Sequence, residues 1–305
     1  MDVRQLVVEL GGEPVAIPYV RVVGTSGDGP RLTVIAGVHG TEYTSIAAAR
    51  EWASELHAEE IAGQITVVPV VNVPAFWARS PFVVPLDGKN LNRSFPGDAD
   101  GTAAERMAAA VTEQFISGSD YLLDLHAGDL PEALEPFALY DESPVADRAR
   151  ELALAYGLGH VVRQPATGRT VGGSTSAVAA DLGIPAITAE AGECGILDRS
   201  SVDLHLRGLR NIARFLGLVP GDVEAFPAPA EHEGWVWLRT DVPGWWQPVV
   251  STGQSLEEGA LLGTVAPLLG GEAEEFRAPA AGVPLFITSS PAVTSEGLLM
   301  GLALT

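Results

Sequence analysis

The sequence predicts an α/β fold, a mostly parallel or mixed sheet flanked by helices, followed by a small all-β module. Three observations carry this. Through residue 216, apolar runs suited to strands alternate with segments of helical pattern. The segment 219–234, holding Pro220, Pro227 and Pro229, reads as a linker. Beyond it the helical pattern stops, and short apolar runs are separated by Gly and Pro turns. The expected division is therefore 1–218, a linker at 219–234, and a β domain at 235–305.

Taken in order, residues 5–10 and 15–23 are β-rich and joined by a Gly-Gly turn, so they predict a hairpin. Residues 32–37 form an apolar strand that runs into an alanine-rich helix at 42–56. The run 65–71 is nearly all apolar, as a strand covered on both faces must be. A long loop rich in Pro, Gly and Asn spans 72–101, a length that in compact domains points to function. There follow a helix at 103–116, strands at 121–126 and 136–140, a helix at 144–156 and a Gly-rich loop at 167–173. A short helix at 174–182, a strand at 185–190 and a helix at 202–216 complete the first part. In the β module, short strands are expected at 235–238, 249–251, 261–265, 275–278 and 283–287.

At 305 residues the chain is long enough for a sizeable core. A formal charge of −21 argues against nucleic-acid or anionic-membrane partners, which need a basic surface. No apolar run reaches the length of a membrane span, and no signal peptide is visible at the start, so a cytoplasmic location is expected. Cys194 is the only cysteine, which excludes an intrachain disulfide.

The chemistry gathers at strand ends. His39 and Glu42 stand three residues apart where a strand turns into a helix; at that spacing both side chains share one helical face and can converge on one ion. Alone, the pair is better explained by an exposed first-turn glutamate favoured by the helix dipole beside an incidental histidine. His126, ending a second apolar strand, shifts the balance: two imidazoles and one carboxylate form a His₂Glu set with a coordination position open for water. Glu190 ends a third apolar strand, where a carboxylate is costly without a task, and it suits a general base; Glu193 lies past the strand end and ranks below it. Arg79 and Arg93 lie in the long loop, and their planar guanidinium groups suit carboxylate recognition or carbonyl polarisation. Trp235, Trp237, Trp245 and Trp246 read as packing residues. A serine hydrolase is disfavoured because no Gly-x-Ser-x-Gly elbow occurs, and Cys194 has no histidine beside it in sequence.

His39-Gly-Thr-Glu42, Asn72-Val-Pro-Ala-Phe76, Ala78-Arg-Ser80, Asp87-Gly-Lys-Asn-Leu-Asn-Arg93, Asp124-Leu-His126 and Glu190-Ala-Gly192 occur in that order. Together they resemble the succinylglutamate desuccinylase/aspartoacylase family, a branch of the zinc carboxypeptidase superfamily, over residues 34–217. The resemblance implies a zinc-carboxypeptidase-like mixed sheet and a C-terminal module like a barrel sandwich that narrows the active-site mouth. It implies one Zn²⁺ per chain on His39, Glu42 and His126, with Glu190 as base and Arg79 polarising the scissile carbonyl. Asn92 and Arg93 would hold the substrate carboxylate. Asn90 departs from the aspartate usual at its position and would supply a neutral, weaker acceptor to a metal-bound histidine. The expected activity is hydrolysis of the amide of a small N-acyl amino acid. Alternatives are a metallocarboxypeptidase acting on short peptides and a non-catalytic zinc- or ligand-binding protein. Homo-oligomerisation is left open.

Overall fold

The computed structural model describes residues 3–12, 14–167 and 171–305. The Gly-rich loop expected at 167–173 lies partly outside them. Strands β1 (Val3–Glu9), β2 (Pro14–Val23) and β3 (Arg31–Ala36) lead into helix α1 (Tyr43–Glu55) and strand β4 (Gln64–Val68). Helices α2 (Val73–Ala78) and α3 (Ala103–Val111) precede β5 (Tyr121–His126), β6 (Glu132–Leu134) and β7 (Phe137–Asp141). Then come α4 (Ala146–Tyr156), β8 (His160–Gln164), α5 (Thr175–Asp181), β9 (Ala186–Glu190) and α6 (Arg199–Phe215). The remaining strands are β10 (Ala230–His232), β11 (Trp235–Thr240), β12 (Gly244–Pro248), β13 (Leu261–Ala266), β14 (Glu274–Arg277), β15 (Gly282–Thr288), β16 (Ala292–Val293) and β17 (Gly297–Leu304).

The main sheet is mixed, nine strands in the order β1-β2-β4-β3-β5-β9-β7-β8-β10. Its centre, β4-β3-β5-β9, is parallel, and β7 runs antiparallel to β9. One face buries Leu32, Val34, Leu123 and Ile187 against α1, α4 and α6. The other buries Ile35, Val68, Leu122 and Ala186 against α3 and α5. Burial on both faces explains why these strands read as continuous apolar runs.

Alternation along β5 sends Leu123 and Leu125 to the first face and Leu122, Asp124 and His126 to the second. On β9 the same rule leaves Thr188 and Glu190 on the side of Ala186. The chain leaves β3 on one side to form β4 and returns on the other to form β5. This reversal opens a crevice beyond the carboxyl ends of the two strands, the usual place for a ligand in an open α/β sheet.

The later strands form two antiparallel sheets, β11-β17-β15-β6 and β14-β13-β12-β16. Two elements cross between the parts. β6, from between β5 and β7, joins the sheet of β15, while β10, inside the segment expected to be a linker, pairs parallel with β8. A strand expected at 249–251 is displaced to β12, whose Trp246 is buried in the core of the later sheets while Trp245 is exposed. Among the described residues no helix is long and apolar enough to cross a membrane.

Candidate active site

His39, Glu42 and His126 meet at the crevice between β3 and β5, all three buried. Their convergence does not come from a shared helical face, as the spacing suggested. His39 sits in the turn after β3, and Glu42 is the N-cap of α1, just outside the helix. Two glycines shape that turn. Gly37 has φ +63°, and a β-carbon on Gly40 would lie 2.2 Å from the backbone nitrogen of Phe76, so the turn packs directly on α2.

The Glu42 carboxylate spans both rings, with Oε1 2.6 Å from His39 Nδ1 and Oε2 2.9 Å from His126 Nδ1. Oε2 also accepts the backbone N–H of Ala127 at 3.2 Å. The far ring nitrogens are held from behind. His39 Nε2 lies 3.1 Å from Asn90 Oδ1, and His126 Nε2 lies 2.9 Å from Asp124 Oδ2. With each Nε2 donating backward, each Nδ1 faces Glu42: protonated it donates to the carboxylate, and deprotonated it offers a lone pair to a cation. One donor atom from each of the three side chains lies within 4.8 Å of the other two. Two imidazoles and a carboxylate, each backed by a second acceptor or donor, suit a divalent ion.

Asp124 is fully buried and accepts a hydrogen bond from Thr175 at the start of α5. Its second oxygen has no protein partner among the described residues. The Asp124-Leu-His126 motif carried this residue, but its task became visible only through the ring it orients. Burial by itself would raise the Glu42 carboxyl; His126 and His39 outweigh that and hold it down at about 2.

Glu190 is the register partner of His126 across β5 and β9, so the two side chains stand on neighbouring strands at the same edge of the site. Burial, against the opposing pull of His126 and reinforced by Glu42, Glu132 and Asp124, pushes its carboxyl well above the usual range.

The site opens into a cavity of about 510 Å³ lined by His39, Glu42, His126, Glu190, Asn92 and Arg93, among others. The later sheets supply its far wall through Trp237, Arg239, Phe286 and Thr294. Arg93 donates to the carbonyl of Asn92 at 2.7 Å and lies over the Trp237 ring, 5.7 Å from its centroid; Arg239 lies at 5.9 Å from the same centroid. Arg93 is exposed to the cavity yet closely surrounded by protein, and that enclosure lowers its pKa, with Glu132 opposing and Arg239 adding. Asn92 is buried, its Oδ1 3.4 Å from the backbone nitrogen of Thr175.

Arg79 is placed elsewhere. It caps α2 in a left-handed conformation, φ 54°, is exposed, and takes no part in the cavity lining. Position in the long loop suggested otherwise because the sequence does not show that a helix forms at 73–78 and that the residue capping it turns outward. Arg239 and Glu132, both on the lining, carry no motif in the sequence; the packing of the later sheets brings Arg239 to the site, and β6, which pairs with β15, holds Glu132 there. Trp235 and Trp237 likewise line the cavity as well as packing on Phe286. Glu193 accepts the backbone N–H of Leu134 at 3.2 Å, a structural contact. Cys194 has φ 53° and its sulfur lies 3.6 Å from Ser289 Oγ.

Residues 28–216 match the model of the succinylglutamate desuccinylase/aspartoacylase catalytic domain. The N-alpha-acetyl-L-2,4-diaminobutyric acid deacetylase of Halomonas elongata is 30% identical over 266 residues, which span 84% of this chain and 77% of that protein. The product-bound structure of the ectoine utilization protein EutE (DoeB) from Ruegeria pomeroyi superposes with a TM-score of 0.89 at 24% identity, covering 99% of this chain and 95% of the other. An aspartoacylase family protein from Mesorhizobium loti superposes with a TM-score of 0.81 at 27% identity, covering 100% and 95%. With its His-Glu-His metal-binding triad at the crevice of a mixed α/β sheet, the chain belongs to the succinylglutamate desuccinylase/aspartoacylase family of hydrolases acting on amide C–N bonds.

Proposed function

We propose that this chain is a zinc-dependent deacylase that hydrolyses the amide of a small N-acyl amino acid, with an N-acetyl diamino acid as the best candidate substrate. The observation that carries the reading is the buried set of His39, Glu42 and His126 facing Glu190 inside a walled cavity. Two nitrogens and one carboxylate oxygen suit zinc, and such an ion would activate water and polarise the scissile carbonyl. The substrate is suggested by the diaminobutyric acid deacetylase of Halomonas elongata.

The chain's own residues supply the rest. Glu190, with its carboxyl raised by burial, takes the proton of the attacking water and returns it to the leaving amine nitrogen. Asn90 and Asp124 hold the two imidazoles by their far nitrogens and so fix the donor geometry. Arg93, with Asn92 beside it, receives the substrate carboxylate, and the positive pair Arg93 and Arg239 makes a local attraction for anions on a chain of strongly negative overall charge. Arg79 has no part in this scheme. The far wall built from Trp237, Arg239 and Thr294 favours small amides over peptides.

The test is a panel of N-acyl amino acids assayed with zinc-loaded protein. Chelation is expected to abolish turnover and zinc to restore it. Glu190→Gln is expected to lower kcat by about 10²- to 10⁴-fold while binding zinc at unchanged stoichiometry. A Glu190→Gln protein with near-normal turnover would overturn the assignment.

A further inference from the structure

The cavity contains a carboxylate that the hydrolytic scheme does not use. Glu132 opens β6, lines the cavity, and lies on the element that joins the two parts of the molecule, its register partner being Thr288 of β15. Its backbone is clamped on both sides. The Glu132 N–H donates to the carbonyl of Asp129 at 2.8 Å, and its own carbonyl accepts from the N–H of Cys194 at 2.7 Å. Gly128 approaches so closely that a β-carbon there would lie 2.4 Å from the Glu132 carbonyl oxygen.

The side chain, by contrast, is poorly satisfied. One oxygen accepts the backbone N–H of Asp129 at 3.2 Å. Among the described residues the other has no donor, and no basic nitrogen lies within 4.0 Å of the carboxylate. Burial, with the charge of Glu42, pushes the Glu132 carboxyl up to about 7. A rigidly held, enclosed carboxylate beside two others is costly to keep in place, and a cationic partner would remove that cost.

Arg93 is its complement. No carboxylate oxygen of the described residues comes within 4.0 Å of the guanidinium, which donates to a backbone carbonyl instead. The two opposite charges line the same cavity without forming an ion pair. That gap suits a ligand carrying both an anion and a cation.

Resting on the deacylase reading above, we propose that Glu132 is the specificity-determining residue for the second functional group of the substrate: its carboxylate receives a side-chain ammonium while Arg93 receives the α-carboxylate. The site then selects N-acyl diamino acids over N-acyl amino acids of the same length with a neutral or acidic side chain. Neutral analogues leave the carboxylate unpaired, and acidic ones place like charges together.

The experiment compares Nα-acetyl-2,4-diaminobutyrate with Nα-acetyl-norvaline, its near-isosteric neutral analogue, and Nα-acetyl-aspartate, using zinc-loaded protein. The wild type is expected to favour the diamino substrate in kcat/KM by about 30-fold or more, the usual scale for a desolvated charge pair. Glu132→Gln is expected to bring the ratio of diamino to neutral substrate toward one, with the loss in KM rather than kcat. Glu132→Asp is expected to restore part of it. Calorimetry with free 2,4-diaminobutyrate supplies a readout without turnover, in which Glu132→Gln weakens binding and circular dichroism confirms the fold. Equal use of diamino and neutral substrates by the wild type, or an unchanged ratio in Glu132→Gln, overturns the assignment of Glu132 and leaves the deacylase reading standing. No hydrolysis of any of the three, or of the wider N-acyl panel, overturns that reading itself.

Discussion

Asn90 and Asp124 show how much of the His39-Glu42-His126 triad depends on groups outside it. Each accepts from the far nitrogen of one histidine, at 3.1 Å and 2.9 Å, so the two rings are fixed by one neutral and one anionic partner. An anionic acceptor makes its imidazole the stronger donor to a cation. Asp124→Asn is therefore expected to weaken zinc affinity by about 10- to 100-fold, and Asn90→Asp to strengthen it. Competition with a calibrated chelator measures both, and equal affinities in all three proteins would contradict the argument. The ligand residues were readable in the sequence because strand-end histidines and a His-x-x-Glu spacing are local patterns. Asn90 was readable as a departure from a motif. Arg239 carried no such mark, being far in sequence from every motif, and Glu132, six residues past His126, belongs to no motif and no strand that the sequence displays.

At the level of elements, the His39-Gly-Thr-Glu42 turn depends on its contact with α2. Gly40 is placed so that any side chain would strike the backbone of Ala75 and Phe76. Gly40→Val is expected to lower stability by about 1–3 kcal/mol through overpacking and to weaken zinc binding by moving His39. Urea unfolding and metal titration test this, and a variant matching the wild type in both would show that the contact is slack. The seam between β8 and β10 gives a second expectation. His160 Nδ1 lies 3.0 Å from His232 Nε2, and the rings stack. Burial, then the neighbouring His232, lower the His160 pKa below its ordinary 6.5. The unfolded chain then takes up this proton first as pH falls, so stability is lost below about pH 6.5. The melting temperature of the wild type is expected to fall from about pH 7 to about pH 5, and that of His160→Gln to fall less steeply. Parallel slopes would assign the acid sensitivity to other groups. Neither α2 nor the β8–β10 pairing was read from the sequence. One was hidden in a stretch rich in Pro and Asn, and the other pairs strands whose contact is not local.

On the scale of the whole molecule, the first 218 residues and the later sheets share a core. Leu134, Phe137, Leu139 and Val162 pack with Trp235, Val283, Leu285 and Phe286 in one cluster. A chain ending at residue 218 would expose that apolar face and leave β6 without β15. It is expected to bind a hydrophobic dye and to associate on size-exclusion chromatography. A monomeric, dye-silent fragment would show that the first part stands alone. The sequence by itself determined the α/β class, the succession of most strands and helices along the chain, and the His39, Glu42 and His126 triad, and it marked Glu190 as a carboxylate ending an apolar strand. Those features rest on local periodicity and on which residues end apolar strands. Only the tertiary structure decided that Arg79 lies outside the cavity, that Glu42 reaches its partners from a helix cap, and that Arg239 and Glu132 line the cavity. These depend on how distant segments pack, a property set by many weak long-range contacts that no single stretch of sequence displays.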